Sequence, residues 1–206
     1  MPSPTPSPRS KPSPAPLDAY EVLLCVCGGI AAYKSAALAS RLVQDGCGVT
    51  VAMTRAARRF VGPLTFQALT GRPVHTSLFS PADKADIQHL RLSELADLIV
   101  VAPATASVIA KTAGGLADDL VSCLLIGADC PVLMAPAMNA RMWAHPAVQR
   151  NVAYLREIGV HMLGPESGWQ ACRAVGPGRM SEPESLAQTV RDVLLARPAR
   201  RGRTRE

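Results

Sequence analysis

Short, unbroken apolar runs that alternate with helical patterns constrain the fold of this chain more than any other feature. The clearest run lies at residues 98–102, inside the segment DLIVVAP. A strand that is apolar on both faces is typical of a parallel sheet that helices cover on both sides. Aromatic residues make up only 4% of the 206 residues, so Ala, Val, Leu and Ile must fill the core. This length fits one α/β domain with a sizeable core.

The same patterns predict the order of the elements, and we find no internal repeat. The predicted strands lie at 22–26, 48–53, 98–102, 131–135 and 160–163. The predicted helices lie at 31–44, 56–69, 107–113, 118–128, 147–158 and 184–196. Strands that alternate with helices in this way predict a single parallel sheet.

Both ends of the chain differ in composition from the stretch between them. Residues 1–17 form a Pro/Ser tail, and residues 197–206 form a tail with five Arg. We expect both tails to be disordered, on either side of one domain at residues 18–196. The net charge of +6 comes from these tails, whose positive surpluses are two and four. The neutral stretch between them argues against a basic face that binds nucleic acid.

The cysteine pattern and the hydropathy exclude several classes of protein. The chain has six Cys, but no pair has C-x-x-C spacing and no His pair completes a zinc pattern. Cys25 and Cys27 lie in an apolar run and are predicted to be small core residues. No apolar stretch reaches the roughly 18 residues that a membrane span needs, and no signal peptide is visible. We therefore expect a reduced, cytoplasmic protein with no metal site and neither a membrane nor a nucleic acid as its partner.

Parallel sheets bind ligands at the carboxyl ends of their strands, which directs attention to the loops at those ends. The first strand is followed by Gly28-Gly29, where close backbone approach and a helix N-terminus suit a phosphate. A plain tight turn would have the same sequence. The second strand is followed by Thr54, which either bonds a ligand or caps the next helix. The local pattern favours the cap.

The next two strands also end in polar or small residues. Thr105 and Ser107, in the segment APATAS, suit phosphate or carbonyl oxygens, although an ordinary helix start would look the same. Asn139, in APAMN, is not in a context typical of a helix cap. We therefore expect its amide either to be well bonded or to be reserved for a ligand.

A segment rich in glycine and a single histidine complete the set of candidates. Residues 168–180 contain three Gly and one Pro, which is typical of a flexible or strained lid. The one Cys in this segment, Cys172, is a nucleophile, a proton donor or a passive thiol. His89 stands just ahead of the strongest strand, where its imidazole is a candidate acid or base near neutral pH.

Six motifs, taken together, resemble one known family. They are GGIAAYK, the His of QHLRLSELAD, APATAS, GGLADDL, APAMNxxMW and QAC…GxGRM. In this order and spacing they are similar to the motifs of phosphopantothenoylcysteine decarboxylases, which belong to the homo-oligomeric flavin-containing cysteine decarboxylases. The resemblance runs over residues 22–183, nearly the whole predicted domain.

The resemblance implies a flavodoxin-like, Rossmann-type three-layer sandwich with a parallel sheet. It also implies that FMN binds between the subunits of a homotrimer, or of a higher multiple such as a dodecamer. By motif, the residues that contact FMN are Gly28, Gly29, Ile30, Ala31, Thr54, Thr105, Ala106, Ser107, Val108 and Ala137. The residues that contact the substrate are Asn139, Trp169, Ala171 and Met180.

The implied reaction is the FMN-dependent decarboxylation of 4'-phosphopantothenoylcysteine to 4'-phosphopantetheine in coenzyme A biosynthesis. In the family, FMN oxidises the cysteine thiol to a thioaldehyde, which accepts the electron pair that the departing CO2 leaves behind. His89 matches the catalytic base, Asn139 the residue that holds the carboxylate, and Cys172 the proton donor that acts on the enethiol.

Two departures from the family pattern leave alternatives open. The Cys is usually followed by Gly-Asp, whereas here Arg173-Ala174 follows it, and APATA usually ends in Asn, where Ser107 stands here. The first alternative is a peptidyl-cysteine oxidative decarboxylase, which releases the enethiol without reducing it. The second is a non-catalytic regulatory flavoprotein, and a flavin prenyltransferase is more distant. The ligase that is fused to many bacterial members is expected to be a separate protein here.

Overall fold

The structure, a computed structural model, describes residues 17–78 and 88–200, and of residues 88–91 it describes the backbone but not the side chains. In this part of the chain the strands are β1 (Glu21–Val26), β2 (Gly48–Met53), β3 (Val74–His75), β4 (Leu98–Ala104), β5 (Val132–Pro136), β6 (His161–Met162), β7 (Glu166–Trp169) and β8 (Val175–Arg179). The helices are α1 (Ala32–Gln44), α2 (Pro63–Thr70), α3 (Gln88–Leu95), α4 (Ala106–Ala113), α5 (Leu120–Ile126), α6 (Ala140–Ala144), α7 (Pro146–Glu157) and α8 (Pro183–Leu195).

Within the described residues, six strands form one parallel sheet in the order β3-β2-β1-β4-β5-β6. This is the strand order of Rossmann-type nucleotide-binding domains, and it confirms the predicted α/β sandwich. The chain leaves β1 toward β2 on one side and returns to β4 on the other, so a crevice opens at the carboxyl ends of β1 and β4. The fold therefore places a ligand site between the loops that follow these two strands.

Alternate residues of β1 enter the two apolar cores that the described residues form. Val22, Leu24 and Val26 pack with α1, α2 and α8 on one face of the sheet. Leu23, Cys25 and Cys27 pack with α4, α5 and α7 on the other face. Burial on both faces explains why these strands have no polar side. It also confirms that Cys25 and Cys27 are core residues, and all six cysteines are free thiols.

The helix predicted at 56–69 is wrong as a single element. The chain forms a short 3-10 turn at Ala57–Arg59 and then starts α2 afresh at Pro63. Gly62 has an extended backbone, as residues before proline prefer, and Pro63 occupies the first turn of α2, where its missing N–H costs nothing. The break allows the residues that follow β2 to turn toward the crevice before the helix begins.

Two further elements were not predicted as such. Residues that we expected to form a flexible lid contain the antiparallel hairpin β7–β8, whose ends pair Glu166 with Arg179 and Trp169 with Val175. We call residues 166–179 the cysteine hairpin. The short helix α6 follows β5 directly and begins after Asn139.

The two ends of the described chain meet at the amino-terminal edge of the sheet. Leu17 is fully buried in the core, and the hydroxyl of Tyr20 donates to the carbonyl of Arg197 over 2.9 Å. Arg200, in the segment we expected to form the basic tail, bonds the carboxylate of Asp129 over 2.7 Å, and its backbone N–H donates to Asp97. These contacts lie at the edge opposite the crevice, so they leave the predicted site open.

Candidate functional site

A cleft of about 970 Å³ opens at the carboxyl edge of the sheet, at the crevice that the strand order predicts. Every predicted site residue except His89 lines it: Gly28, Gly29, Ile30, Ala31, Thr54, Thr105, Ala106, Ser107, Val108, Ala137, Asn139, Trp169, Ala171, Cys172 and Met180. The fold thus brings together side chains from five separate segments of the chain. Pockets of this size bury most of the surface of a drug-sized ligand.

Glycine at position 28 is required by the packing under the cleft. A Cβ built there would overlap Ala56 and stand 2.9 Å from its carbonyl carbon. At Gly29, by contrast, the nearest atoms, in Pro103 and Thr105, lie 4.0 Å from a built Cβ. The first glycine therefore lets the β1–α1 turn pack against the turn after β2, and the second leaves its face open to the cleft.

Two threonines hold the loops after β2 and β4. Thr54 Oγ1 accepts a hydrogen bond from the N–H of Ala57 over 3.2 Å, which is the local capping role that the sequence favours. Thr105 is the N-cap of α4, and its hydroxyl accepts from the N–H of Val108 over 3.3 Å. Both also line the cleft, so each fixes the backbone while remaining next to the space where a ligand binds.

The N-terminal ends of two helices face the cleft. No described side chain caps α1, whose N-cap residue is Ala31. The first N–H groups of a helix have no partner within the helix, and together with the helix dipole they attract anions. The β1–α1 turn therefore suits a phosphate, as the Gly28-Gly29 sequence predicts.

Lys111 provides a charged wall that is already neutralised. Its Nζ donates to Asp118 over 2.7 Å and to Asp119 over 2.6 Å, and these bonds raise the pKa of Lys111. Asp119 also caps α5 by accepting from the N–H of Ser122 over 2.9 Å. This group fixes α4 against α5 at the edge of the cleft.

Lys34 joins the phosphate-side helix to the opposite wall. It is buried in α1, and its Nζ donates to the carbonyl of Met180 over 3.0 Å and to the carboxylate of Glu182 over 2.9 Å. The hydrogen bond from Lys34 lowers the pKa of Glu182. Arg179 also contacts that carboxylate. The contacts hold Met180, a predicted substrate residue, at the end of β8.

Asn139 has two roles at once, and our expectation that it is not a helix cap is wrong. Its Oδ1 accepts from the N–H of Arg141 over 2.8 Å, which makes it the N-cap of α6. Its Nδ2 donates to the sulfur of Cys172 over 3.2 Å. The cap fixes the orientation of the amide, so the N–H₂ group points away from the helix and toward the cysteine hairpin.

The cysteine hairpin is docked on the segment that carries Asn139. The N–H of Met138 donates to the carbonyl of Gly178 over 2.9 Å. A Cβ at Gly178, whose φ is +129°, would overlap the carbonyl oxygen of Met138. At Gly176 a built Cβ would stand 3.2 Å from the Cβ of Ala140. The base of the hairpin is thus fixed, although its tip is exposed.

Position 173, next to Cys172, has a left-handed backbone. Arg173 has φ +64°, and it is the non-glycine residue with positive φ in the described chain. Its N–H donates to the carbonyl of Gln170 over 2.8 Å, which closes the turn. The related sequences that place Gly after this Cys suit that conformation better, because glycine adopts it without a steric cost.

The thiols at the cleft differ in their surroundings. Cys27, at the end of β1, is buried, and the loss of solvation raises its pKa to about 12. A thiol that stays protonated and buried is not a useful nucleophile. Cys172 is exposed on the hairpin and faces Asn139. The geometry therefore favours Cys172 over Cys27 as the reactive thiol.

His89 cannot be compared with these residues, because its side chain lies outside the described part of the structure. Its backbone belongs to the first turn of α3. Its role stays a prediction.

Several residues that line the cleft were not predicted, namely Tyr33, Lys34, Arg55, Lys111, Asp119, Met142, Gln170 and Arg179. Lys34, Lys111, Asp119 and Gln170 stand inside the motifs GGIAAYK, APATAS with its trailing A-K, GGLADDL and QAC. Their presence in these motifs was the available signal. What the sequence does not show is that they act through contacts with distant segments.

Among the described residues, no group of three His, Cys, Asp or Glu side chains is placed to hold a metal ion. No helix in the described ranges is long and apolar enough to cross a membrane.

Comparisons with known proteins agree with the site. Residues 10–195 match the flavoprotein family. The coenzyme A biosynthesis bifunctional protein CoaBC of Bacillus subtilis is 50% identical over 172 residues, which cover 84% of this chain and 42% of the relative. The chain therefore spans less than half the length of that curated relative.

Solved structures show the same fold. A cysteine-to-serine variant of a PPC decarboxylase, complexed with pantothenoylaminoethenethiol, has a TM-score of 0.76 and 30% identity, covering 84% of this chain and 96% of that one. The FMN-dependent cysteine decarboxylase SpaF has a TM-score of 0.74 and 32% identity, covering 86% of this chain and 96% of that one. The chain therefore belongs to the flavoprotein family, within its group of flavin-containing cysteine decarboxylases.

Proposed function

We propose that the protein decarboxylates 4'-phosphopantothenoylcysteine to 4'-phosphopantetheine, with FMN as its flavin. The observation that carries the proposal is the hydrogen bond from Asn139 to Cys172 at the wall of the cleft. It places a group that binds a carboxylate beside a group that donates a proton. The relative named for coenzyme A biosynthesis and the solved PPC decarboxylase support the choice of substrate.

The residues of the cleft fit a flavin mononucleotide. The N-terminal ends of α1 and α4 suit the phosphate, and Gly29 leaves room for close approach. Small residues such as Ala31, Ala106 and Ala137 leave a broad apolar space between the two helix ends and the cysteine hairpin. When bound, FMN would supply reversible two-electron chemistry, because it accepts electrons from the substrate thiol and returns them after CO2 has left.

Asn139 would hold the carboxylate that leaves as CO2. The amide nitrogen has two hydrogens, and one is used by Cys172. The other is free to donate to a carboxylate oxygen. Because the cap to Arg141 fixes the amide, the carboxylate would be held in one orientation without further ordering.

Cys172 would provide the proton that completes the reduced product. The S–H bond breaks and a C–H bond forms at the carbon that carried the carboxylate, while the hydride equivalent returns to the neighbouring carbon. The thiolate that remains would take up a proton from solvent, to which the side chain is exposed. Substrate, product and CO2 then balance with no net oxidation.

His89 would act as the base for the initial oxidation, as the motif implies, and we propose that the cleft is completed by further copies of the chain in a homotrimer or a multiple of it. The mouth of the cleft has large apolar side chains that are exposed in the single chain: Ile30, Tyr33, Met142 and Trp169. Apolar patches of this kind are typical of surfaces that a partner covers.

The alternative is an oxidative decarboxylase of peptidyl cysteine, a class that is also represented by solved structures of this fold. Such an enzyme has no need of a proton donor, because it releases the enethiol. The position of Cys172 beside Asn139 therefore favours the full cycle.

The test is to purify the protein, record its visible absorption spectrum, add phosphopantothenoylcysteine and follow the products by mass spectrometry. We expect bound FMN, CO2 and a saturated thiol. An enethiol with reduced flavin would support the peptidyl-cysteine reaction. Bound flavin without turnover would favour a regulatory flavoprotein, and a protein that binds no flavin would overturn the proposal.

A further inference from the structure

The strongest unassigned feature is the buried amide of Gln170, at the base of the cysteine hairpin. The residue is 9% exposed, although the neighbours on both sides, Trp169 and Ala171, are exposed. A buried amide is costly unless its hydrogen bonds are made, so its partners indicate what it stabilises.

The partners of Gln170 fix which way the amide points. Its Nε2 donates to the carbonyl of Pro177 over 2.8 Å, across the hairpin. Its Oε1 accepts from the N–H of Ala140, the first residue of α6, over 3.2 Å. A flipped amide would face a carbonyl with an oxygen and an N–H with a nitrogen, so one orientation is compatible with both contacts.

The same oxygen is the neighbour of the reactive thiol. Cys172 Sγ lies 3.6 Å from Gln170 Oε1 and 3.2 Å from Asn139 Nδ2. The sulfur thus accepts a hydrogen bond from one amide and donates its S–H to the other. Both contacts are made at once only when the cysteine carries its proton.

We propose that Gln170 is a positioning residue that holds the protonated Cys172 thiol against Asn139. It ties the thiol to the start of α6, the helix that Asn139 caps, so the proton donor and the carboxylate-binding amide keep one relative geometry. This proposal rests on the proposed function. It predicts that loss of Gln170 impairs the protonation step more than the steps that precede it.

The test compares Gln170→Met, which keeps the length of the side chain but cannot bond, with Gln170→Glu, which keeps an acceptor and loses the donor to Pro177. Gln188→Met is the matched control, because Gln188 is exposed on α8 and bonds only Asp192 among the contacts described for its amide nitrogen. Each full-length protein is loaded with FMN. The rate of CO2 release and the ratio of saturated thiol to enethiol are then measured with phosphopantothenoylcysteine.

For Gln170→Met we expect CO2 release within about threefold of the wild type and a product ratio lower by roughly tenfold, as expected when a general acid is misplaced. Gln170→Glu should lie on the same side, and Gln188→Met should match the wild type. An unchanged product ratio in Gln170→Met would overturn the proposal. So would a fall in CO2 release as large as the fall in the product ratio, because the residue would then support the whole site.

Hydrogen exchange of the hairpin provides a readout that does not need turnover. We expect faster exchange of the amide of Arg173 and of the first turn of α6 in Gln170→Met, and no change in Gln188→Met. If the wild type itself forms no product, the proposed function fails, and exchange alone decides whether Gln170 positions the cysteine. Unchanged exchange in Gln170→Met would contradict the proposal in that case too.

Discussion

The amide of Asn139 joins two elements that are 33 residues apart in sequence, because its Nδ2 donates to Cys172 Sγ over 3.2 Å while its Oδ1 caps α6. A helix cap is a rigid attachment, so the cysteine hairpin is referenced to the end of β5. The carboxyl edge of the sheet thereby sets the distance between the two groups that the proposed reaction needs. The hairpin tip can move only within the limits that this contact allows.

Replacing the sulfur of Cys172 tests its proposed role directly. Cys172→Ser should still bind flavin and release CO2, because Asn139 and the flavin cradle are intact. It should stall with the enethiol or with reduced flavin, since an alcohol is a far weaker acid than a thiol. Mass spectrometry of the products and the visible spectrum check this. Full yield of the saturated thiol in this variant would show that another group donates the proton.

The two glycines after β1 should respond differently to alanine. Gly28→Ala forces the backbone of Ala56 to move and should cost about 1–3 kcal/mol of unfolding free energy, as overpacking does. Gly29→Ala has open space, with the nearest atoms 4.0 Å away, so its stability should match that of the wild type. Both should weaken flavin binding.

Denaturant unfolding of the apoprotein and flavin titration separate the two effects. If Gly29→Ala left flavin affinity unchanged, the phosphate would lie elsewhere than the β1–α1 turn. An equal loss of stability in both variants would mean that the second glycine is also needed for packing.

The sequence predicts the sheet well because its strands are buried on both faces. The run at 98–102 has no polar side, and no other element of that length accommodates it. The cysteine hairpin escapes the same analysis, because β8 consists of Val-Gly-Pro-Gly-Arg and is stabilised by backbone pairing and by contacts of Gln170. Such a strand has no apolar alternation to detect.

The site was predictable in its positions and not in its contacts. The carboxyl ends of the strands locate Gly28, Thr54, Thr105 and Asn139 from the chain order alone. The bond from Lys34 to Met180 joins residues 146 positions apart and has no local signature. The double role of Asn139 was missed for the same reason, since α6 is five residues long and its hairpin partner lies in another segment.

The backbone at position 173 offers a test of local strain. Arg173 has φ +64°, a region that costs an L-residue about 1 kcal/mol or more. Arg173→Gly should therefore stabilise the hairpin by about 0.5 kcal/mol after the greater entropy of glycine in the unfolded chain is offset. Arg173→Val, with a branched Cβ, should destabilise it by about 1 kcal/mol.

Hydrogen exchange of the hairpin amides measures this difference, because short exposed hairpins open locally. If Arg173→Ala protected the hairpin as well as Arg173→Gly does, the gain would come from loss of the guanidinium and not from the backbone conformation.

The ion pair under the cleft should make stability depend on acid pH in a defined direction. The hydrogen bond from Lys34 lowers the pKa of Glu182, so the folded state favours the charged carboxylate. The stabilisation is fully present above the ordinary pKa of glutamate, about 4.3, and is lost as the pH falls through the lowered value. Because the Glu182 side chain is 39% exposed, water screens the pair, and Glu182→Gln should cost about 1 kcal/mol at pH 7. The difference between the wild type and this variant should shrink as the pH falls below the folded value, whereas Glu157→Gln, on exposed α7, should show a small difference at every pH. Thermal unfolding of the three proteins from pH 7 to pH 3 measures both quantities, and a gap that widened toward acid would contradict the assignment of the pair.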